Sequence, residues 1–284
     1  TWHREVLGDT GFNALYDSEE EARADAEAYK AYLLQDGDEV IAESVTITLQ
    51  PQVSFVLMDQ TTGEVKAISG GRGEKTANLT LNRATNVPRQ PGSTFKVISA
   101  FAPALDTCGA TLGTVYYDAP YTVGTKSFRN WYSGGYQGYS SIRDGIIYSM
   151  NIVAVRCMME TVTPQLGVEY AQNFGITTMT SSDLNAATAL GGLTEGVTNL
   201  ELTAAFASIA NQGVYTEPIF FTRILDRNGK VLIENEPETR QVLKDSTAFL
   251  LTDAMKDSMI SNRKFARPGA GPSSSSTRAK LDGM

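Results

Sequence analysis

The sequence predicts an α+β fold: an antiparallel sheet with helices on its faces, plus a mostly helical subdomain. The prediction depends on three observations: a hairpin pattern at 53–70, a second hairpin pattern at 214–234, and helical apolar periodicity in most segments between and after them. Strands that come in hairpins, rather than alternating regularly with helices, favour antiparallel pairing with helices packed on the sheet. A chain of 284 residues has room for one large domain and a smaller attachment.

The first 49 residues are predicted to be a linker or attachment segment. Ser18 precedes Glu21 by three residues, which is the capping-box pattern of a helix start, and a helix is expected over 19–34. Alanines fill most of its apolar positions, so this helix is expected to be exposed. The main domain is predicted to span 50–284.

The main domain is predicted to begin with a hairpin, in which the strand VSFVLMD, the turn QTTG and the strand EVKAISGG follow one another. Apolar residues then recur at helical spacing from Phe95 to Leu105, which predicts a buried helix that begins at Ser93. The later segments predict two helices broken near Ser149, a helix opened by a capping box at Thr198 and Glu201, a hairpin that turns at Asn228-Gly229, and a last helix over 245–259.

Composition and charge exclude several classes of function. The formal net charge of −8 argues against nucleic acid as a partner, because phosphate binding requires a basic surface. His3 is the only histidine, which argues against a Ser-His-Asp triad and against a histidine zinc site. Cys108 and Cys157 lack the spacing of metal ligands, so neither a metal nor another cofactor is expected.

Ser93 and Lys96 form the first candidate site. Residues three apart share one face of a helix, so both side chains would lie at the first turn, directly after Pro91 and Gly92. Burial would lower the pKa of Lys96, and the neutral amine could then take a proton from Ser93 as its oxygen attacks a carbonyl. The same Ser-x-x-Lys spacing recurs at Ser261, however, so spacing alone favours an ordinary helix cap with a solvated lysine.

Ser149-Met150-Asn151 forms the second candidate site, at the break between two predicted helices. A hydroxyl at Ser149 could relay a proton between Lys96 and a leaving group. The amide of Asn151 could hold the lysine and a substrate carbonyl through hydrogen bonds. Taken alone, the tripeptide could equally be a cap between the two helices.

In combination, these segments resemble the transpeptidase domain of class A, bifunctional penicillin-binding proteins. The resemblance covers roughly residues 50–260 and implies the fold that these domains share with serine β-lactamases. Residues 1–49 resemble the linker that joins this domain to a glycosyltransferase domain. The matching segments are the opening hairpin, the nucleophile segment NRATNVPRQPGSTFK, the tripeptide in YSMN, and the stretch ALGGLTEGVTNLELTAAFASIANQGVY.

The resemblance implies a D,D-transpeptidase of peptidoglycan synthesis. Ser93 would be acylated by the penultimate D-alanine of a stem peptide, or by a β-lactam antibiotic. Lys96, Ser149 and Asn151 would have the roles given above, and the Ser93 N–H would supply part of an oxyanion hole. The parent chain would carry a glycosyltransferase domain and lie at the extracytoplasmic face of the bacterial cell membrane, anchored through a segment absent from this chain.

The third motif of the family, Lys-Ser/Thr-Gly on a strand after the Ser-x-Asn, does not occur in this sequence. Lys75-Thr76-Ala77 and Lys126-Ser127-Phe128 lack the glycine and precede Ser149. That motif would bind the substrate carboxylate and complete the oxyanion hole. We therefore expect a C-terminally incomplete domain, and we expect this polypeptide alone to be weakly active or inactive.

Three other interpretations stay open. A serine β-lactamase shares both motifs and would need a deacylating glutamate, for which Glu195 and Asn199 have a suitable Glu-x-x-x-Asn spacing. A β-lactam sensor or a non-catalytic scaffold of the same fold would lack a working third motif. Trp131 and the tyrosines of 116–139 could line a groove for a peptide, although packing within a loop is the simpler interpretation.

Overall fold

The computed structural model describes residues 16–261, except 44, 46, 74, 76 and 77. The chain divides into two compact units, residues 1–52 and residues 53–284. The assignment of residues 1–49 as a linker, and of 50–284 as an incomplete domain, stays a prediction.

The described part of the first unit contains a helix, α1, at Glu19–Leu33. It begins where the capping pattern predicts, since the Ser18 hydroxyl accepts the Glu21 N–H at 3.1 Å. Three glutamates occupy the first turn, where negative charge is stabilised by the helix dipole. No residue of α1 is buried, as the alanine-rich pattern predicts.

The described strands of the second unit pair as five two-stranded antiparallel sheets rather than as one sheet. The two hairpins predicted within 53–70 and 214–234 are confirmed. In the first hairpin, Phe55 pairs with Ser69. The pairs are β1 (Phe55–Met58) with β2 (Val65–Ser69), β3 (Val115–Asp118) with β6 (Gly138–Ser141), β4 (Tyr121–Val123) with β5 (Lys126–Phe128), β7 (Val214–Thr216) with β10 (Thr239–Gln241), and β8 (Arg223–Leu225) with β9 (Val231–Glu234).

The helices of the second unit lie mainly between these hairpins, and the α+β class is confirmed. The α-helices are α2 (Arg83–Asn86), α3 (Ala102–Asp106), α4 (Ile142–Ile147), α5 (Asn151–Arg156), α6 (Pro164–Asn173), α7 (Asn199–Ala210) and α8 (Asp245–Ser261). Shorter 3₁₀ turns occupy Gly92–Thr94, Ser181–Asp183 and Ala186–Leu190, and π-helical turns occupy Val97–Phe101 and Cys157–Val162.

The central helix runs from Gly92 to Asp106 and passes through 3₁₀, π and α geometry in turn, whereas the sequence predicted a regular helix. Pro103 explains the π-helical turn, because a proline has no N–H and its ring clashes with the carbonyl four residues earlier, here that of Ser99. The π-helical turn spans only five residues, which is too short for the apolar periodicity to reveal it.

The core forms around this central helix. Phe95, Ile98 and Phe101 are fully buried and belong to one large apolar cluster with side chains from α4, α6 and α7. Burying a side chain of this size stabilises the fold by about 1.5–3 kcal/mol. Ser93 and Lys96 therefore lie at the start of a helix whose apolar side chains are buried in the core.

Candidate active site

Ser93 lies in the 3₁₀ turn Gly92–Thr94 at the start of the central helix, and its side chain is exposed. The Thr94 hydroxyl donates to the Pro91 carbonyl at 2.9 Å, so the polar groups of this turn are partly satisfied locally. The first N–H groups of a helix have no partner within the helix, and they favour an anion or a developing oxyanion nearby. The position therefore suits a serine nucleophile.

The loop 191–197 holds the segment that leads to Ser93. Arg89 and Val197 exchange two backbone hydrogen bonds, both of 2.9 Å. The Gln90 side chain accepts the Leu193 N–H at 2.7 Å and donates to the Leu193 carbonyl. From the sequence, this loop could be assigned only through the family resemblance, because its contacts are made by backbone groups.

Lys96 is 2% exposed and makes three hydrogen bonds with two residues of the second motif. Its ammonium nitrogen donates to the Ser149 carbonyl at 2.6 Å, to the Ser149 Oγ at 3.0 Å and to the Asn151 Oδ1 at 2.6 Å. The structure thus brings together three of the four predicted site residues, across more than 50 residues of sequence. None of the three acceptors is a carboxylate.

Burial lowers the pKa of Lys96 from 10.5 to about 7, because the charged form loses its hydration. The neutral form fits the observed contacts. A neutral amine has two N–H donors and one lone pair; the Ser149 carbonyl and Asn151 Oδ1 can only accept, which leaves the lone pair for a hydroxyl. The geometry therefore permits Lys96 to accept a proton near neutral pH.

Ser149 lies between α4 and α5 with a φ of 51°. A residue other than glycine in this left-handed region costs about 1–3 kcal/mol, and such strain is concentrated at functional sites. The predicted break between two helices at this position is confirmed. The turn that contains Ser149 directs both its carbonyl and its hydroxyl to Lys96.

Asn151 is the first residue of α5. Its Oδ1 accepts from Lys96, while its Nδ2 donates to the Arg129 carbonyl at 2.8 Å. Its backbone N–H donates to the Asn130 Oδ1 at 2.9 Å. The sequence gives no signal for Arg129 and Asn130, because they lie in a segment without periodicity and contact the site only through the tertiary fold.

No hydrogen bond joins Ser93 to Lys96 within the described part of the chain, although the spacing led us to expect one. The Lys96 nitrogen is hydrogen-bonded to the carbonyl and hydroxyl of Ser149 and to the Asn151 Oδ1 instead. The helix between the two residues is not regular α-helix, so the rule that residues three apart share a face applies less strictly. The role of Ser93 stays a prediction.

The residues of the β-lactamase interpretation, and the lysine of the incomplete motif at 126–128, lie outside the group formed by Lys96, Ser149 and Asn151. The Asn199 Nδ2 donates to the carbonyl and the hydroxyl of Ser54, at 3.1 and 3.2 Å, and Glu195 is exposed. Lys126 lies in β5, with its ammonium 5.7 Å from the centre of the Phe128 ring. The two other partial motifs are Lys75-Thr76-Ala77 and the second Ser-x-x-Lys, which begins at Ser261. Each includes residues outside the described ones, namely Thr76, Ala77 and Lys264.

No group of histidine, cysteine, aspartate or glutamate side chains among the described residues could hold a metal ion. No helix in that part of the chain has both the length and the apolar character needed to cross a membrane.

Comparison with known proteins gives the class to which this fold and site belong. The sequence model of the penicillin-binding protein transpeptidase domain matches residues 53–272. Because that range covers most of the chain, the chain belongs to the penicillin-binding protein transpeptidase family. The resemblance seen in its motifs is confirmed.

The curated relatives include penicillin-binding protein 1A of Clostridium tetani, which is 34% identical over 222 residues, or 73% of this chain and 28% of the relative. Penicillin-binding protein 1A of Clostridium acetobutylicum is 33% identical over 248 residues, or 82% of this chain and 30% of the relative. The chain therefore spans about three tenths of the length of these relatives.

Solved structures show the same fold. The PonA1 protein from Mycobacterium tuberculosis, in complex with penicillin V, has a TM-score of 0.64 and 25% identity, and the match covers 82% of this chain and 60% of that one. Penicillin-binding protein 1A from Haemophilus influenzae has a TM-score of 0.62 and 24% identity, over 77% of this chain and 37% of that one. The second likeness is evidence for the fold alone.

Proposed function

We propose that this chain is the acyl-transferring part of a D,D-transpeptidase that cross-links peptidoglycan stem peptides, with Ser93 as the nucleophile. One observation carries the proposal: the Lys96 amine is buried without a carboxylate and is hydrogen-bonded to Ser149 and Asn151. A lysine in that environment is a base near neutral pH. The family to which the chain belongs supplies the substrate class.

In the proposed reaction, Ser93 Oγ forms a bond with the carbonyl carbon of the penultimate D-alanine, and its proton passes to Lys96, directly or through the Ser149 hydroxyl. The tetrahedral oxyanion is stabilised by N–H groups at the start of the helix. The bond to the terminal D-alanine then breaks, and its amine takes the proton back from Lys96. An amine of a second stem peptide attacks the Ser93 ester and gives a proton to Lys96; the bond between the carbonyl carbon and Ser93 Oγ breaks as the cross-linking amide forms, and Lys96 returns the proton to Oγ.

The absence of a Ser93–Lys96 hydrogen bond is compatible with this sequence of steps. Catalytic hydrogen bonds are often long in the free enzyme and shorten only in the substrate complex. Because Ser93 is exposed and Lys96 is buried, a substrate that covers Ser93 would exclude water from around its hydroxyl.

A β-lactam would acylate the same serine, and the penicillin V complex of PonA1 supports this part of the proposal. The remaining length of the penicillin-binding protein 1A relatives agrees with the glycosyltransferase domain and the extracytoplasmic membrane anchor that the resemblance implies for the parent chain. We extend the proposal to both, with residues 1–49 as the linker.

The experiment is acylation of the purified chain by a fluorescent penicillin, followed by mass spectrometry of its peptides. We expect a long-lived adduct on Ser93 that Ser93→Ala abolishes. Ser182→Ala, which alters an exposed serine in another 3₁₀ turn, is the control and should keep the adduct. Acylation should be slow, because no Lys-Ser/Thr-Gly follows Ser149 in this sequence.

Each other outcome bears on a defined part of the proposal. An adduct on another residue refutes Ser93 as the nucleophile, and no adduct after prolonged incubation shows that this polypeptide alone is inactive without the third motif. Rapid acylation refutes the expectation that the reaction is slow without the Lys-Ser/Thr-Gly motif. Rapid release of hydrolysed penicillin shows a β-lactamase instead.

A further inference from the structure

Three consecutive residues, Arg129, Asn130 and Trp131, follow β5 and reach the turn that carries Ser149. Within this segment, the Asn130 Oδ1 accepts two backbone N–H groups at the start of α5, those of Asn151 at 2.9 Å and Ile152 at 3.2 Å. The Arg129 carbonyl accepts the Asn151 Nδ2 at 2.8 Å. Because its Nδ2 is engaged on that side, the Asn151 amide presents its oxygen to Lys96.

The same segment also holds the other end of the turn. The Trp131 Nε1 donates to the Tyr148 carbonyl at 3.0 Å, one residue before Ser149. The contacts therefore lie on both sides of Ser149 and Met150, and none of them is made to Ser149 itself. Such an arrangement can keep Ser149 at its strained φ of 51°, since strain of this kind persists only when the surroundings over-determine it.

A buried carboxylate fixes the orientation of Asn130. Asp118, at the end of β3, is 1% exposed, and its Oδ1 accepts the Asn130 Nδ2 at 2.7 Å. Its Oδ2 accepts the Tyr132 hydroxyl at 3.0 Å and the Gln137 N–H at 2.8 Å. A carboxylate can only accept, so the NH₂ group of Asn130 must face Asp118 and its oxygen must face α5.

We propose that residues 129–131, oriented by Asp118, form a clamp that keeps the Ser149 hydroxyl and the Asn151 oxygen directed at Lys96. Asn130 and Trp131 are positioning residues, because their hydrogen bonds go to the turn around Ser149 and to the start of α5 and not to Lys96. The effect on acylation rests on the proposed function, whereas the effect on the geometry around Lys96 does not.

The first experiment measures the environment of Lys96 by NMR, from the pH titration of its ε-methylene group. Asn130→Ala removes the contact with α5, and Trp131→Phe keeps an aromatic ring but removes the indole N–H. We expect both changes to release the turn, admit water to Lys96 and raise its pKa by at least one unit from about 7.

The matched control is Asn185→Ala. The Asn185 Oδ1 accepts the Ala187 N–H at 2.8 Å, so this variant also loses an asparagine cap, but at a 3₁₀ turn without a hydrogen bond to the Ser149 turn. Its thermal stability should fall as in any cap deletion, while the Lys96 titration stays unchanged. Folded Asn130→Ala and Trp131→Phe proteins that titrate like the wild type overturn the proposal; if Asn130→Ala does not fold, Trp131→Phe decides.

The second experiment compares acylation rates with fluorescent penicillin. Both clamp variants should be acylated at least tenfold more slowly than the wild type, and Asn185→Ala at the wild-type rate. Equal rates in all four proteins overturn the catalytic consequence of the clamp. If the wild type itself is not acylated, this polypeptide alone has no acylation activity, and the NMR titration alone decides whether the clamp exists.

Discussion

Replacing Gly191 by alanine tests whether the loop 191–197 positions the segment of Ser93. Gly191 has a φ of +72°, and a Cβ added there would lie 2.3 Å from the Gly92 carbonyl oxygen and 2.6 Å from the Gly92 nitrogen. The left-handed conformation costs an alanine about 1–2 kcal/mol. Ordinary contact begins near 3.4 Å, so the two backbones would have to separate by about 1 Å, and shifts caused by overpacking cost about 1–3 kcal/mol.

The two costs add to about 2–5 kcal/mol of lost stability. For a domain of this size each kcal/mol lowers the melting temperature by about 2–4 °C, so a decrease of about 4–20 °C is expected. Gly109→Ala is the matched control, because Gly109 has nearly the same φ, +71°, with nothing within 4 Å of an added Cβ. It should lose only the conformational part, about 1–2 kcal/mol.

The measurement is denaturant unfolding of the wild type and of both alanine variants. The difference between the variants isolates the close approach of Gly191 to Gly92. If the two variants lose equal stability, the approach is not tight, and the inference that this loop holds the Ser93 segment is refuted. Acylation by labelled penicillin should be slower in Gly191→Ala and unchanged in Gly109→Ala.

Three further predictions concern Lys96, Ser149 and Arg143. The pKa of Lys96 is about 7 in the folded state and 10.5 ordinarily. Between these two pH values the unfolded state binds a proton that the folded state does not. The free energy of unfolding should therefore rise with pH, by up to about 1.4 kcal/mol per pH unit. Denaturant unfolding at pH 7, 8 and 9 should show that Lys96→Met removes this rise, and equal pH slopes in both proteins would contradict the assignment. Ser149→Gly relieves about 1–3 kcal/mol of strain at an entropic cost of about 0.5–1 kcal/mol, so melting should show equal or higher stability while penicillin labelling slows; a marked loss of stability would mean that the hydroxyl contact with Lys96 outweighs the strain. The Arg143 side chain of α4 is 34% exposed and forms ion pairs with Asp253 and Asp257 of α8. Arg143→Met should therefore lower the free energy of unfolding by about 1 kcal/mol at low salt and by less at high salt. A loss of stability that does not depend on salt would indicate lost packing instead of lost ion pairs.

The elements that the sequence predicts well are those determined by local chemistry. Thr198 and Glu201 form the reciprocal capping box that their spacing indicates, and α7 follows it. The hairpin turn at Asn228-Gly229 and the break at Ser149 are likewise local, and all three are found where expected. How strands associate beyond a hairpin depends on long-range contacts that local patterns do not show, and the described strands form five separate antiparallel pairs.

The candidate site also has one part that the sequence predicts and another part that it does not. The grouping of Lys96 with Ser149 and Asn151 could be inferred because both motifs have recognisable spacing and the family resemblance relates them. Asp118 and Asn130 could not be inferred, because a single buried aspartate and a single capping asparagine have no pattern in sequence. Their importance becomes visible only when β3 and α5 are placed in space.

The choice of an amide rather than a carboxylate at position 151 has a consequence for the pH range of the chemistry. Asn151 and aspartate have nearly the same shape, and either could accept the short hydrogen bond from Lys96. An aspartate, however, would add a negative charge beside the ammonium and raise the pKa of Lys96. The exchange of one NH₂ group for an oxygen would thus turn a lysine whose pKa lies near 7 into one half of an ion pair that stays charged at neutral pH.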